Sequence, residues 1–255
     1  MPRFFVEGQP ENGMLFLRGE DAHHAGRVLR LRPGEAVTLC DGRGTDHDCT
    51  VESVEKDAVA CRVVSSHPAD TEPHQRLTLY MALPKGDKME FIVQKAVELG
   101  AAEIVPYLSK NCVSRPDKTD KKVERWRKIA VEAAKQCGRG VLPAVHPVLP
   151  VAEAIARAAQ SETALFLYEN EKKTGLRDAL AGGVGKTVSL MVGPEGGFAP
   201  EEAAAAQAAG LVSVSLGTRI LRCETAPVAA LAAVLYAGGN MWVKKREGWH
   251  WPKGK

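Results

Sequence analysis

Aromatic residues make up only 5% of this 255-residue chain, and none of its six cysteines, Cys40, Cys49, Cys61, Cys112, Cys137 and Cys223, stands in a C-x-x-C pair. So few aromatics argue against an extended stacking platform for single-stranded nucleic acid. Cysteines spaced this way, in a chain too long to need cross-links, read as reduced thiols. There is no H-E-x-x-H and no G-x-G-x-x-G after a strand, and the seven histidines are scattered, so metal and dinucleotide chemistry lack their usual signatures. Gly182-Gly183-Val184-Gly185-Lys186-Thr187 imitates a phosphate loop, but Leu180 stands where the first glycine is required and the segment enters a strand instead of leaving one. Near the amino terminus only Phe4, Phe5 and Val6 run together before Glu7 interrupts them, so no export signal is expected and the chain reads as cytoplasmic. The uncharged stretch Thr225–Val243 could suggest a membrane span. Pro227, Gly238, Gly239, Asn240 and its many alanines favour a buried or subunit-facing helix instead.

What remains is an ordinary globular composition: 45% apolar, 25% charged, with a mean hydropathy of −0.17. At ~100 to 200 residues per domain, one large or two modest domains are expected. The net charge of +3 hides an asymmetry. Residues 1–72 carry 8 basic against 13 acidic side chains, a net of −5, and residues 73–255 carry 26 against 18, a net of +8. Much of the excess lies in Lys110–Gly140, with 10 basic against 4 acidic, and in the tail from Lys244, with 5 against 1. Such a surface would draw a polyanion.

Up to about residue 70, short strands are predicted at Leu15–Arg18, Ala36–Cys40, Asp48–Val54 and Ala58–Val64, with one helix at Asp21–Leu31. This is a small, mainly antiparallel barrel. A polar linker, Ser65–Pro73, marks the domain boundary. Strands at Arg76–Leu83, Glu103–Leu108, Ala164–Tyr168, Thr187–Val192 and Leu211–Leu216 then alternate with helices, which predicts a parallel α/β sheet with its ligand at the carboxyl ends of the strands. The helices are expected after Asp87 as cap, at Thr119–Cys137, Val151–Ala159, Pro200–Ala209 and Thr225–Ala237.

Three of those strand ends carry the chemistry. Thr187–Val192 runs into Gly193-Pro194-Glu195-Gly196-Gly197, a forced turn whose backbone could read a planar heterocycle. Leu211–Leu216 runs into a loop with Arg219, Arg222 and Glu224 just before a helix amino terminus, and Ala164–Tyr168 runs into Glu169-Asn170. Three loops on one sheet edge would form one pocket.

These residues resemble a known family. The runs MVGPEGGFAPEE (191–202) and LGTRILRCETAPVAAL (216–231), with FIVQKAVELGAAEIVP (91–106), ERWRKIAVEAAKQCGR (124–139) and HHAGRVLRLRPGEAVTLCDGRG (23–44), are similar to the RsmE family of ribosomal RNA uridine-N3 methyltransferases in the SPOUT superfamily. The resemblance covers nearly the whole chain. It implies a PUA-like, RNA-binding β-barrel over residues 1–72 and a methyltransferase domain over 73–255 whose carboxyl-terminal segment forms a deep trefoil knot. It also implies a homodimer, S-adenosyl-L-methionine as methyl donor, and a uridine of 16S rRNA in the small ribosomal subunit as acceptor. Carried over residue by residue, the donor would lie against Leu167, Tyr168 and Glu169, against Gly193, Pro194, Glu195, Gly196 and Gly197, and against Leu216, Gly217, Ile220, Leu221, Arg222 and Ala226.

Methylation at N3 leaves an anion spread over the uracil ring once the N3 proton departs, and Arg222, a permanent cation, is the first candidate to stabilise it. Glu195 and Glu224 are the candidate general bases, although either could be structural. The family's barrel is thought to hold RNA, yet here it is net negative, with only Arg27, Arg30 and Arg32 as a positive arc. The basic helix with Lys121, Lys122, Arg125 and Lys128 is therefore expected to supply most phosphate contacts. Gln136, Arg139, Lys95 and Glu98 could either bind RNA or lock the fold. The competing reading is a non-catalytic dimeric RNA-binding module, which would explain the basic helix but not three polar or glycine-rich loops ending strands.

Overall fold

The structure is a computed structural model that describes residues 1–113 and 119–241. The basic tail from Lys244, with Arg115 and Lys118 of the basic stretch, lies outside the described residues.

The amino-terminal part is a five-stranded sheet in the order β1-β3-β4-β5-β2, where β1 is Arg3–Phe5, β2 Met14–Arg18, β3 Ala36–Cys40, β4 Thr45–Val54 and β5 Ala58–Pro68. Every pairing is antiparallel except β1 with β3. Alternating inward residues, among them Leu15, Leu17, Val37, Leu39, Cys49, Val51, Val59 and Cys61, form one core closed by Ala22 and Ala25. These alanines lie on α1 (Gly19–His23) and on the π-helical segment His24–Val28 that continues it. The predicted helix to Leu31 therefore stops early, and Arg30 turns the chain with a left-handed φ of 55°. The expected linker is also shorter, because Ser65–Pro68 continues β5 and pairs with Asp48–Thr45.

The second part is a parallel sheet in the order β12-β10-β11-β6-β7-β8, with β9 also paired to β7. Its strands are β6 (Arg76–Ala82), β7 (Ala101–Leu108), β8 (Ala144–Val145), β9 (Leu149–Pro150), β10 (Thr163–Leu167), β11 (Thr187–Val192) and β12 (Val212–Val214). Five of the six residues of central β11 are buried, as expected for a strand covered on both faces. Helices α2 (Lys88–Glu98), α3 (Asp120–Cys137) and α7 (Thr225–Ala237) form one packed group, in which α2 touches α3 and α7. Helices α4 (Val151–Ala158) and α6 (Pro200–Ala208) form a second, and the short α5 (Leu176–Ala179) packs on β12. Asp87 occupies the cap position of α2 as predicted, but its side chain makes no capping bond.

α3 buries Val123, Trp126, Ala130, Ala133 and Ala134 at helical spacing, each large side chain contributing about 1.5–3 kcal/mol. Gly138 ends it with a φ of 75° that a side chain would strain, and the following turn sends Arg139 inward. There the guanidinium, 3% exposed, pairs with Glu72 at 2.5 Å and donates to the carbonyls of Val97 and Ala101. Glu72 also accepts the N–H groups of Gly140 and Val141, while Arg3 pairs with Asp46 and donates to the Arg139 carbonyl. Arg139 thus joins the two parts and lies off the surface, so of the two readings open to it, RNA contact and locking of the fold, its place fits the second and not the first. Lys135 is likewise engaged, 2.8 Å from Asp21 on α1.

Candidate active site

Strand order places β10 between β12 and β11, so the loops leaving these three strands share one edge. The turn after β11 is closed by the Gly197 N–H donating to the Pro194 carbonyl at 3.0 Å. Gly197 has φ 67°, and a Cβ there would collide with the Glu169 carboxylate from the β10 loop. Only glycine lets the two loops approach this closely. Asn111, beyond β7, donates through Nδ2 to the carbonyls of Gly196 and Gly197 at 3.1 and 3.2 Å. Glu202 accepts from Ser109 Oγ and from the N–H groups of Lys110 and Ala199, which fixes the start of α6 behind the turn. Tyr107, fully buried, donates to the Val192 carbonyl at the end of β11.

The loop after β12 is held from the other side. Ser215 donates its N–H to the Thr174 carbonyl and accepts from the Leu176 N–H, so strand β12 ends sooner than predicted and Leu216 belongs to the loop. Glu171 accepts from Ser213 and from the N–H groups of Lys173 and Thr174, and these bonds hold its pKa down to about 2. Gly217, with φ 107°, then frees the chain to run across the sheet edge.

Of the expected donor-binding residues, Leu167, Gly193 and Pro194 are buried at the floor, Tyr168, Gly197, Leu216, Leu221 and Ala226 are half-buried, and Glu169, Gly196, Gly217 and Arg222 are exposed. Ile220 is 90% exposed, an apolar side chain held out at the mouth of this edge. An apolar wall beside a glycine turn with accessible backbone is the kind of surface that could take a planar heterocycle, with the wall against the ring and the backbone at its edge.

Sequence reasoning missed the cation beside this edge, on the flank next to β11. Lys88, the first residue of α2, donates to Glu195 Oε1 at 2.9 Å and lies 3.2 Å from Glu224 Oε2. The Lys85 N–H donates to the same Glu195 oxygen at 3.1 Å. Burial works against the Glu195 charge, but Lys88 and backbone donors prevail and hold its pKa below the usual carboxylate value. Glu224 is lowered in the same way against its burial, by backbone bonding, the Cys223 thiol and Lys88. Two carboxylates that resist protonation make weak bases. Cys223 is pushed up to about 12 by burial and by its bond to Glu224, so it stays a thiol. Only strand order could have revealed Lys88, because β6 stands next to β11 although 107 residues separate the two partners.

Lys121, Lys122, Arg125 and Lys128 are exposed on α3, and Arg125 pairs with Glu90 at 2.7 Å. Lys122 and Arg125 line a hollow beside the active edge, together with Leu83, Pro84, Gly86 and Met89 at the carboxyl end of β6 and the start of α2. Arg27, Arg30 and Arg32 are exposed on the amino-terminal part, beside exposed Val28 and Leu29.

Residues 71–235 match the RNA methyltransferase domain family and residues 17–64 the RNA methyltransferase PUA domain family. Ribosomal RNA small subunit methyltransferase E of Bacillus subtilis is 36% identical over 92% of this chain and 96% of its own length. The protein of the same name from Mycobacterium bovis is 35% identical over 91% and 90%. Among solved structures, the Neisseria gonorrhoeae ribosomal RNA small subunit methyltransferase E bound to S-adenosyl methionine superposes with a TM-score of 0.82 at 35% identity, covering 92% of this chain and 97% of that one. A Legionella pneumophila putative methyltransferase in complex with the same molecule gives 0.80 at 33%, covering 92% and 97%. Matched along nearly its whole length by relatives above 30% identity and by two domain families in the right order, the chain belongs to the ribosomal RNA small subunit methyltransferase E family.

Proposed function

We propose that the protein is a cytoplasmic S-adenosylmethionine-dependent methyltransferase that modifies N3 of a uridine in 16S rRNA, acting on the small ribosomal subunit. The observation that carries this reading is the meeting of three loops at the carboxyl edge of adjacent strands β12, β10 and β11, around a turn in which only glycine fits at position 197. S-adenosylmethionine supplies an electrophilic methyl group when bound. Leu167, Tyr168, Leu216, Ile220, Leu221 and Ala226 would pack its nucleoside, the backbone of Gly193, Pro194, Gly196, Gly197 and Gly217 would read its polar edge, and Glu169 would bound the pocket.

Arg222, exposed at this edge, favours the deprotonated uracil by its permanent charge, and the N3 proton passes to solvent. Glu195 and Glu224 hold the loops instead of taking the proton, because their bonds lower both, Lys88 and backbone donors for Glu195 and backbone bonding, the Cys223 thiol and Lys88 for Glu224. Phosphates lie along Lys121, Lys122, Arg125 and Lys128, and the arc of Arg27, Arg30 and Arg32 guides RNA along residues 1–72.

Residues 73–255 are read as the catalytic domain with its terminal segment knotted. In support, the chain leaves edge strand β12, runs beside Thr174–Leu176, and returns past β10 to pack α7 on α2 and β11. α7 buries Pro227, Ala230, Leu231, Val234 and Leu235 inward and keeps half-buried Val228, Ala229 and Ala232 on its other side, a small-residue face suited to a second copy in a homodimer. The test is methylation of small subunits from a strain lacking the enzyme, with mapping of the modified base. Labelled methyl on the N3 of one 16S uridine supports the reading. A protein that gives no calorimetric heat with S-adenosylmethionine is instead a silent RNA-binding module.

A further inference from the structure

Three segments far apart in sequence meet at one ammonium. Lys88 lies at the start of α2, behind the loop that leaves β6, while Glu195 lies in the turn after β11 and Glu224 immediately before α7. The Lys88 Nζ is 2.9 Å from Glu195 Oε1, 3.2 Å from Glu224 Oε2 and 3.7 Å from Cys223 Sγ. About a third of each of the three charged side chains remains exposed, at 32%, 27% and 29% for Lys88, Glu195 and Glu224. The cluster is therefore only partly desolvated, and its stability value as a plain ion pair is small. Its geometry matters more. Glu195 is already anchored by the Lys85 N–H, whereas Glu224 leads the chain into α7 and is held by backbone bonding, the neighbouring Cys223 thiol and Lys88.

We infer that Lys88 is a positioning residue for the S-adenosylmethionine site: its ammonium, shared by Glu195 and Glu224, clamps the glycine turn after β11 to the segment that leads into α7. The inference rests on the cofactor reading above. Without the ammonium, two carboxylates that now share one cation repel each other, and the wall carrying Leu216, Ile220 and Leu221 moves away from the turn at Gly193–Gly197. An arginine at 88 would keep the charge and could reach both acceptors with its fork. A glutamine at 224 would remove the repulsion and bring an amide able to donate to Glu195 directly.

The experiment titrates S-adenosylmethionine calorimetrically into the wild type, Lys88→Met, Lys88→Arg and the double variant Lys88→Met with Glu224→Gln. Thermal melts of each variant and single-turnover methylation at saturating donor accompany the titrations. Lys88→Met should weaken donor binding about tenfold or more, while Lys88→Arg and the double variant recover most of the loss. The single-turnover rate at saturating donor should change far less than the affinity, which a general disruption of the fold would not produce. Unchanged donor affinity in Lys88→Met overturns the inference, and so does a loss that neither Lys88→Arg nor the double variant repairs. If Lys88→Met does not fold, the other two variants carry the test: near wild-type affinity in both sustains the clamp and a tenfold loss in both removes it. A wild type that does not bind the donor takes down the cofactor reading and the inference with it.

Discussion

At the residue scale, the site depends on positions where chemistry leaves no alternative. Gly197 combines a φ of 67° with the Glu169 carboxylate where its Cβ would stand. Gly197→Ala should cost about 1–2 kcal/mol of local strain and force the β10 loop outward. A titration with S-adenosylmethionine should show about a tenfold weaker complex, with the melting temperature lowered by about 2–8 °C. Arg222 has a different dependence. Its backbone carbonyl accepts the N–H groups of Thr225 and Ala226, and a side-chain truncation leaves that turn in place. Arg222→Ala is therefore expected to lower the methyl-transfer rate about a hundredfold while donor affinity changes less than about threefold. A parallel loss of donor affinity would move Arg222 from the uracil to the cofactor. Of these two residues the sequence supplied the type and the loop, and for Gly197 it even supplied the turn. It did not supply Lys88, which stands in no recognisable motif.

Elements carry the RNA reading. α3 is amphipathic because Val123, Trp126, Ala130, Ala133 and Ala134 turn one face inward, which leaves Lys121, Lys122 and Lys128 to solvent. Of the four cations assigned to phosphate, Arg125 is already paired with Glu90. Reversing Lys121, Lys122 and Lys128 together should weaken binding to 16S fragments at every sequence tested. It should also reduce the slope of log affinity against log salt by about 2–3. An unchanged slope measured by filter binding would remove α3 from the interface. The periodicity of α3, and the bounds of β11 and α7, were readable from sequence because long apolar patterns set them. β1, β8 and β9, with two or three residues each, carry no period of their own and exist through their neighbours. α5, with four residues, is equally silent in the sequence.

For the whole molecule, the joint between the two sheets controls stability. Arg139 and Glu72 lock β7, α2 and the start of the segment after α3 to one another, and Arg3 and Asp46 extend the lock into the amino-terminal sheet. Replacing Arg139 by Met removes the buried cation from Glu72, which keeps the Gly140 and Val141 N–H groups, and takes one donor from each of the Val97 and Ala101 carbonyls, a loss of about 3 kcal/mol that should lower the melting temperature by about 6–12 °C. RNA affinity measured well below that temperature should stay as in the wild type. A drop in RNA affinity with an unaltered melt would instead restore Arg139 to the RNA surface.

The sequence alone determined which segments become helix or strand wherever a period runs long enough, and it placed a glycine turn, two arginines and three carboxylates at strand ends. Local patterns suffice for that, since a side chain's direction within one element follows from spacing. Tertiary structure alone decided that β6 lies beside β11, so that Lys88 meets Glu195 and Glu224, and that Arg139 turns inward to Glu72. Strand order arises from packing across the whole sheet, and no local pattern encodes which distant cation a carboxylate will face.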